Sequence, residues 1–255
     1  MAIIYGIHAV EQALAAGRPL ERLLVARGRG GRRVQEAVSA ARAANIPVRL
    51  VSRSELDRLA GSPDHQGVAA LAGAKRYADL EDLIAQAQPL QGEPSERAPA
   101  LFLLLDGVED PRNLGALLRT ASCTGVDGVI LPERRAAGIT PAAEKVSAGA
   151  SEHVSVARVT NLGRALERLK QAGCWLVGLD ERAPQVFTEV DYSGPLGLVL
   201  GGEGKGLHEH VRAKCDFVVS IPTVGAIRSL NVSVAAGVVL YEVVRQRRAK
   251  GLGQP

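Results

Sequence analysis

The sequence predicts an α/β protein with two domains, a C-terminal domain built on a parallel sheet and a small N-terminal α/β domain. In the last third of the chain, the apolar runs 198–200 and 217–222 each end in a loop, the first rich in glycine and the second polar. Between residues 100 and 179, strand and helix patterns alternate, which is typical of parallel sheets. Residues 86–100, rich in Pro, Gln and Glu, lack periodicity and predict a linker between the domains.

The N-terminal domain is expected to span residues 1–76. Gly17 follows the first helical pattern as a C-terminal stop, and Ser52 with Glu55 resembles a capping box that opens a short helix. The pattern predicts helices 7–14, 34–44 and 53–60, and strands 20–26, 46–51 and 68–71.

Residues 77–100 are expected to form a helix and the linker, and residues 101–255 the second domain. The run 100–105 is almost continuously apolar, as expected for a strand buried on both faces of a parallel sheet. The remaining pattern predicts strands 129–131, 153–159 and 174–179, and helices 114–123, 141–148, 162–172 and 232–244.

Charge is unevenly distributed along the chain. The formal net charge is +4, but residues 1–76 carry 12 Lys and Arg against 6 Asp and Glu, a local balance of +6. This imbalance favours a polyanionic partner, with nucleic acid as the first candidate. A solvated, arginine-rich surface is the alternative explanation.

Several classes of protein are disfavoured. The longest apolar stretch, 234–241, is too short to span a bilayer, and the N-terminus has no basic region typical of a signal peptide. Three widely spaced cysteines predict buried thiols in a reducing cytoplasm. His208 and His210 lie two residues apart, on different faces of a helix, so we expect no zinc site.

The glycine loop 201–206 invites a phosphate interpretation, which its spacing does not support. Val199 and Gly206 occupy positions where a Walker A motif needs glycine and Ser or Thr, and Leu207 stands where a GxGxxG fingerprint needs its last glycine. Ser229 lacks the GxSxG context of a hydrolase nucleophile. An adenosine-bearing ligand held by backbone groups at the sheet edge remains open.

Three stretches carry a family resemblance: 106–120 (DGVEDPRNLGALLRT), 200–207 (LGGEGKGL) and 221–233 (IPTVGAIRSLNVS). They resemble the signature motifs of SpoU-type (TrmH-like) RNA 2′-O-ribose methyltransferases of the SPOUT superfamily, and the likeness extends over 100–248. The segment 4–8 (IYGIH) and the two-domain layout are similar to the branch that methylates a guanosine ribose in 23S rRNA.

The resemblance implies features that periodicity does not reveal. It implies a deep trefoil knot that cradles S-adenosylmethionine and a homodimer with its active site at the interface. It also implies an N-terminal domain similar to a ribosomal-protein fold that binds kinked RNA. The expected substrate is 23S rRNA, as a ribosome assembly intermediate, with no metal and no membrane involved.

Residue roles follow from the same resemblance. The positions that match cofactor contacts are Leu200, Gly201, Gly202, Ile221, Leu230 and Ser233. Those that match the polar active-site set are Asn113, Arg119, Glu203, Ser229 and Asn231. For RNA binding, a glycine-spaced basic loop can follow a phosphate backbone and contributes Arg27, Arg29, Arg32 and Arg33. The turn at 61–67 contributes His65 and Gln66, for which a plain surface loop is the alternative.

The chemistry constrains these roles. A ribose 2′-hydroxyl must be held in line with a sulfonium methyl group and must lose its proton. Arg119 is a poor general base because a guanidinium stays protonated, so we expect it to clamp a phosphate and stabilise the developing alkoxide. Glu203 is expected to orient Arg119 or accept the proton, while Asn113 and Asn231 position the ribose and the loop.

Plainer interpretations stay open. Asn113 could be the N-cap of the helix that follows it, Arg119 a solvated helix residue, and Ser229 and Asn231 caps of the last helix. A tRNA ribose methyltransferase, or an inactive RNA-binding or ribosome-assembly protein, would carry the same motifs. The resemblance assigns no role to Arg228.

Overall fold

The computed structural model describes residues 2–28, 31–73, 75–87, 98–204 and 206–252. The chain forms two compact units. The first comprises Met1–Arg76 together with Gly138–His153, and the second comprises Tyr77–Ala137 together with Val154–Pro255.

Strands and helices alternate along most of the chain. The strands are β1 Ala2–Tyr5, β2 Leu20–Ala26, β3 Val48–Val51, β4 Val68–Ala72, β5 Leu101–Asp106, β6 Gly128–Pro132, β7 Ser155–Val159, β8 Trp175–Leu179, β9 Gln185–Val186, β10 Leu196–Gly201 and β11 Phe217–Ser220. The helices are α1 Ile7–Ala15, α2 Arg32–Ala43, α3 Arg53–Ala60, α4 Leu80–Ala87, α5 Pro111–Cys123, α6 Pro141–Val146, α7 Leu162–Gln171, α8 Glu209–Arg212 and α9 Val232–Ala249.

The first unit is built on a four-stranded sheet of order β1-β4-β2-β3, in which only β2 and β3 run parallel. Side chains of β2 alternate between two apolar clusters, as the pleat of a strand requires. Leu23 packs with Val10 of α1 and Val34 of α2, whereas Leu24 packs with Leu56 of α3. The sheet is therefore covered by helices on both faces.

Residues 138–153 also belong to the first unit, although they lie inside the sequence range predicted for the second domain. Helix α6 packs against β1. The Arg18 guanidinium donates to the carboxylates of Glu144 and Glu152, both at 2.7 Å, and all three side chains are more than nine-tenths buried. Burial raises the pKa of Glu144, and the bond from Arg18 offsets only part of that rise.

The second unit contains a seven-stranded parallel sheet of order β7-β6-β5-β10-β8-β11-β9. Every residue of β5 is buried, which explains its continuous apolar run. Phe102 and Leu104 pack in one cluster with residues of α4 and α7, while α5 and α9 pack against each other. The predicted α/β class is confirmed.

Helix α5 begins earlier than predicted. Its N-cap is Asp110, whose carboxylate accepts the Arg112 N–H at 2.8 Å, and Pro111 occupies the first turn, where its missing N–H costs nothing. Asn113 therefore lies inside the helix, and its interpretation as an N-cap is wrong. Asn231, in contrast, is the N-cap of α9 and accepts the Ser233 N–H at 2.9 Å.

The three cysteines are free, but only partly as expected. Cys174 is buried, Cys215 is partly buried, and Cys123 at the end of α5 is exposed, which corrects the prediction of buried thiols. Burial raises the pKa of Cys174 to about 11 and that of Cys215 to about 12. Within the described ranges, no helix has the length and apolar character needed to cross a bilayer.

Candidate functional site

A pocket of about 500 Å³ opens where β8, β10 and β11 end, beside the N-terminus of α9. Because all strands of this sheet are parallel, their carboxyl ends share one edge, the usual ligand position in such folds. We call it the strand-end pocket. Its lining residues are Leu179, Asp180, Glu181, Arg182, Leu200, Gly201, Gly202, Glu203, Gly204, Gly206, Ile221, Thr223, Arg228, Ser229, Leu230, Asn231, Val232 and Ala235.

Two glycines at the end of β10 allow the loops around the pocket to touch. A Cβ added at Gly201 would lie 2.0 Å from the carbonyl carbon of Gly206, and one added at Gly202 would lie 2.0 Å from the oxygen of Gly107. The Gly202 N–H also donates to the Asp106 carbonyl at 2.8 Å. No side chain fits at either position, so the two glycines are needed for close backbone packing.

A chain of hydrogen bonds joins the three motif segments. The Asn231 Oδ1 accepts from the N–H of Ser233 at 2.9 Å and from its hydroxyl at 2.6 Å, so its Nδ2 must point the other way. That Nδ2 donates to the Asn113 Oδ1 at 3.0 Å, and the Asn113 Nδ2 in turn donates to the Glu203 carboxylate. Each side-chain amide orientation is therefore fixed by its neighbour.

The end of β8 contributes a buried carboxylate that sequence reasoning missed. Asp180 accepts from the backbone N–H of Arg182 at 2.9 Å and from its Nε at 3.1 Å, and lies 3.4 Å from the Arg212 Nε. Burial alone raises the pKa of Asp180, but the Arg182 bonds outweigh it and lower the pKa. The sequence feature that could have identified Asp180 was its position directly after a predicted strand, at the sheet edge where ligands bind.

The structure gathers most of the predicted site residues. Of the predicted cofactor positions, all but Ser233 line the pocket, and Ser233 bonds to Asn231 instead. Among the polar set, Glu203, Ser229 and Asn231 line the pocket, and Asn113 reaches it through its bonds to two of them.

Arg119 stands apart from this group. It is exposed on α5, and the part of the chain that the structure describes offers it no ion-pair or hydrogen-bond partner. Arg119 lies six positions after Asn113, which puts the two side chains about 120° apart around the helix. Glu203, expected to orient Arg119, bonds to Asn113 instead.

In the first unit, the predicted RNA-binding arginines differ in their surroundings. Arg27 is exposed just after β2, whereas Arg29 lies outside the described residues. Arg32 pairs with Glu36 at 2.9 Å, and Arg33 pairs with Glu11 at 2.5 Å. The two paired arginines are already engaged by carboxylates of their own unit.

His65 is a correction to the predicted RNA-binding set. Its side chain is buried, its Nδ1 accepts the Gly67 N–H at 2.9 Å, and its Nε2 lies 2.9 Å from the Asp57 carboxylate. Because Nδ1 is an acceptor, Nε2 carries the proton and donates to Asp57. The ring has no free nitrogen for a ligand and instead fixes the loop 61–67.

Four residues of the segment 222–230 line the pocket. Among the described residues the segment makes no backbone–backbone hydrogen bond, and all its residues are exposed. Such a segment can offer N–H donors and carbonyl acceptors to a ligand.

Two protein families match two separate parts of the chain. Residues 100–241 match the SpoU rRNA Methylase family, and residues 3–78 match the domain described as RNA 2′-O ribose methyltransferase substrate binding. A Bacillus subtilis relative assigned to the TrmH family of tRNA/rRNA methyltransferases is 42% identical over 248 residues, covering 97% of each chain.

Solved structures are similar over nearly the whole chain. The SpoU methyltransferase AviRb from Streptomyces viridochromogenes, in complex with AdoMet, superposes with a TM-score of 0.80 at 27% identity, over 97% of this chain and 90% of AviRb. The A. aeolicus TrmH/SpoU tRNA modifying enzyme has a TM-score of 0.56 at 32% identity, over 68% of this chain and 84% of its own.

Proposed function

The chain belongs to the SpoU rRNA Methylase family, and we propose that it methylates the ribose 2′-hydroxyl of a guanosine in 23S rRNA, with S-adenosylmethionine as donor. It is an RNA methyltransferase of the SpoU/TrmH type, a class that acts on tRNA or rRNA. The observation that carries the proposal is the hydrogen-bond chain from Glu203 through Asn113 to Asn231 at the wall of the strand-end pocket.

The pocket suits S-adenosylmethionine. Its volume of about 500 Å³ is within the usual range for cofactor sites, and Leu200, Ile221 and Leu230 supply apolar walls. Backbone groups of 222–230 are free to bond the adenine, and the family implies a knot in this part of the fold. The lining carries three carboxylates, of Asp180, Glu181 and Glu203, against the guanidinium groups of Arg182 and Arg228, a balance that suits a ligand with one net positive charge. When bound, the cofactor supplies an electrophilic methyl group on a sulfonium.

The residues of the chain then have defined tasks. The 2′-oxygen forms a bond to the methyl carbon as the carbon–sulfur bond breaks, and its hydroxyl proton must leave. Among the motif residues, Glu203 is the carboxylate in the pocket lining and can accept this proton, and Asn113 donates a hydrogen bond to it. Asn231 aligns the loop before α9, where Ser229 can bond the ribose.

Arg119 points to a second copy of the chain. It is exposed and lies away from the Asn113 side of α5, so a phosphate clamp would have to act on another copy's pocket. Helix α9 exposes Val234, Val238 and Tyr241, spaced to share one face, with 52%, 36% and 56% of each residue's surface accessible. This apolar stripe supports a homodimer that brings Arg119 to the neighbouring site.

The choice of rRNA rests on the first unit. It matches a substrate-binding domain and its sequence is basic, whereas the likeness to the tRNA modifying enzyme extends over only 68% of the chain. A folded rRNA site, offered during ribosome assembly, uses both units. A transfer RNA is the second candidate because relatives are assigned to a tRNA/rRNA class.

Methyl transfer from labelled S-adenosylmethionine tests the proposal. Wild-type protein, Arg119→Ala and the control Arg164→Ala, an exposed arginine on α7, are each given deproteinised 23S rRNA or tRNA. We expect alkali-resistant label at one guanosine of 23S rRNA, reduced about 100-fold in Arg119→Ala and unchanged in Arg164→Ala.

The alternatives predict other results. Label in tRNA alone would keep the chemistry and overturn the substrate. Cofactor and RNA binding without label in either RNA would favour an inactive RNA-binding protein. Near-normal turnover in Arg119→Lys would contradict a bidentate clamp, since lysine cannot form one.

A further inference from the structure

The first unit contains its own pocket, of about 660 Å³ and separate in its lining from the strand-end pocket. It lies between the start of α1, the start of α3 and the loop 61–67. Its lining includes Ile7, Ala26, Arg53, Pro63, Gln66 and Lys145. We call it the Arg53–Lys145 pocket.

The wall of this pocket is held rigidly. Besides the two bonds of His65, the Asp64 N–H donates to the Ser62 hydroxyl at 3.1 Å and the Gly67 carbonyl accepts from the Ala26 N–H at 2.9 Å. The loop is therefore fixed before any ligand arrives, which lowers the entropy cost of binding.

Gln66 presents free donors to the pocket. Its Oε1 accepts from the Ile7 N–H at 3.1 Å and lies 3.4 Å from the Lys145 Nζ. Both neighbours are donors, so the orientation of the side-chain amide is fixed and its two Nε2 hydrogens point elsewhere. Within the described ranges, no acceptor bonds to that Nε2.

Two cations line the pocket together with Gln66. Arg53 is exposed, and none of the described residues pairs with it. The Lys145 Nζ donates to the Asp64 carbonyl at 2.6 Å and lies 5.6 Å from the centre of the Tyr5 ring. The acidic side chain in the lining is Asp64, so the two cations are in excess.

The pocket combines two parts of the sequence. Arg53 and Gln66 lie in the range 3–78, which matches the substrate-binding domain, whereas Lys145 lies in the range 100–241, which matches the methylase family. Segment 138–153 brings Lys145 into the first unit. Neither match by itself contains the complete pocket.

We infer that the Arg53–Lys145 pocket binds one unpaired nucleotide of the substrate RNA, away from the nucleotide that is methylated. Arg53 and Lys145 contact its phosphate, the Gln66 amide donates to its base, and Ile7 and Pro63 pack against its ring. The inference rests on the proposed function, since it assumes an RNA substrate.

A pair of arginines on α3 provides the first test. Arg53→Ala removes a lining cation, while Arg58→Ala removes an exposed cation of the same helix that does not line the pocket. Affinity of the full-length protein for deproteinised 23S rRNA is measured by filter binding at several salt concentrations. We expect Arg53→Ala to bind about tenfold more weakly, with a salt slope smaller by about 0.7, whereas Arg58→Ala changes neither.

Two further variants separate charge from folding. Gln66→Glu keeps an oxygen acceptor for the Ile7 N–H and strengthens pairing with Lys145, but replaces the amide donor with a negative charge. Lys145→Met keeps an apolar stem beside Tyr5 and removes the ammonium. We expect both variants to raise KM for RNA and to leave kcat and the affinity for S-adenosylmethionine unchanged. Gln66→Glu should also keep the melting temperature of the wild-type protein.

The results distinguish this inference from the function on which it rests. If wild-type protein methylates RNA but Arg53→Ala binds RNA as tightly as Arg58→Ala, the inferred nucleotide site is wrong and the proposed methyltransferase activity is retained. If rRNA binds through Arg53 but accepts no methyl group, the pocket stands and the proposed reaction fails. Absence of rRNA binding by wild-type protein overturns the pocket.

Discussion

The strand-end pocket and the Arg53–Lys145 pocket are built by opposite means. In the first, backbone meets backbone so closely that Gly201 and Gly202 leave no room for a Cβ. In the second, Arg53, Gln66 and Lys145 project from a loop and two helices that are distant in sequence. Charged side chains line both pockets, so the difference lies in shape: close backbone contacts fix the shape of the first, whereas side chains from separate elements define the second.

The same contrast separates two groups of arginines. Arg32 and Arg33 come from the most basic stretch of the chain, yet each pairs with a carboxylate. Arg53 lies outside that stretch and has no such partner among the described residues. Net charge therefore indicates a polyanion partner, but it does not identify the arginine that is free to bind it.

Gly202→Ala should produce the largest effect. Its Cβ would meet the Gly107 oxygen at 2.0 Å, and backbone must shift at a cost of about 1–3 kcal/mol. We expect affinity for S-adenosylmethionine, measured by calorimetry, to fall by about one to two orders of magnitude. Gly225→Ala is the control, because nothing lies within 4 Å of its added Cβ. Unchanged cofactor binding in Gly202→Ala would show that fit does not govern this pocket.

Asn113→Ala should affect turnover more than stability. It breaks the bonds to Glu203 and Asn231, and we expect kcat to fall about 10- to 100-fold while the free energy of unfolding drops by about 1 kcal/mol. Asn161→Ala is matched to it, because loss of that N-cap on α7 costs similar stability away from the pocket. Equal kcat in the two variants would assign Asn113 a structural role only.

Alkaline pH should have the smallest effect, and the contribution of the buried thiols arises in the second unit, which holds all three cysteines. Burial raises the pKa of Cys174 from 9 to about 11, so the folded state keeps a proton that the unfolded state loses. The contribution of Cys174 to stability is then fully present below pH 9 and falls by about 1 kcal/mol between pH 9 and 10. Urea unfolding followed by Trp175 fluorescence measures the fall. Cys174→Ala should make the slope shallower and leave the share of Cys215, whose pKa burial also raises, whereas Cys123→Ala, at an exposed thiol, should leave the slope unchanged.

Sequence patterns predicted most elements because their residues respect simple periods. The run 100–105 is apolar because β5 is buried on both faces, and α9 follows directly from its N-cap Asn231. Strand β1, which has four residues and directly precedes the predicted helix 7–14, was not predicted. Asp180 escaped notice because a lone acidic residue after a strand carries no motif.

The sequence by itself determined the α/β class and the parallel sheet, since periodicity is a local property. Only the tertiary structure decided that 138–153 packs with the first unit, that Arg119 stands apart from Asn113, and that Lys145 joins Arg53 and Gln66. The physical reason is that burial and ion pairing depend on which segments meet in space. Arg18 shows this, because its partners Glu144 and Glu152 lie in a segment remote from it in sequence.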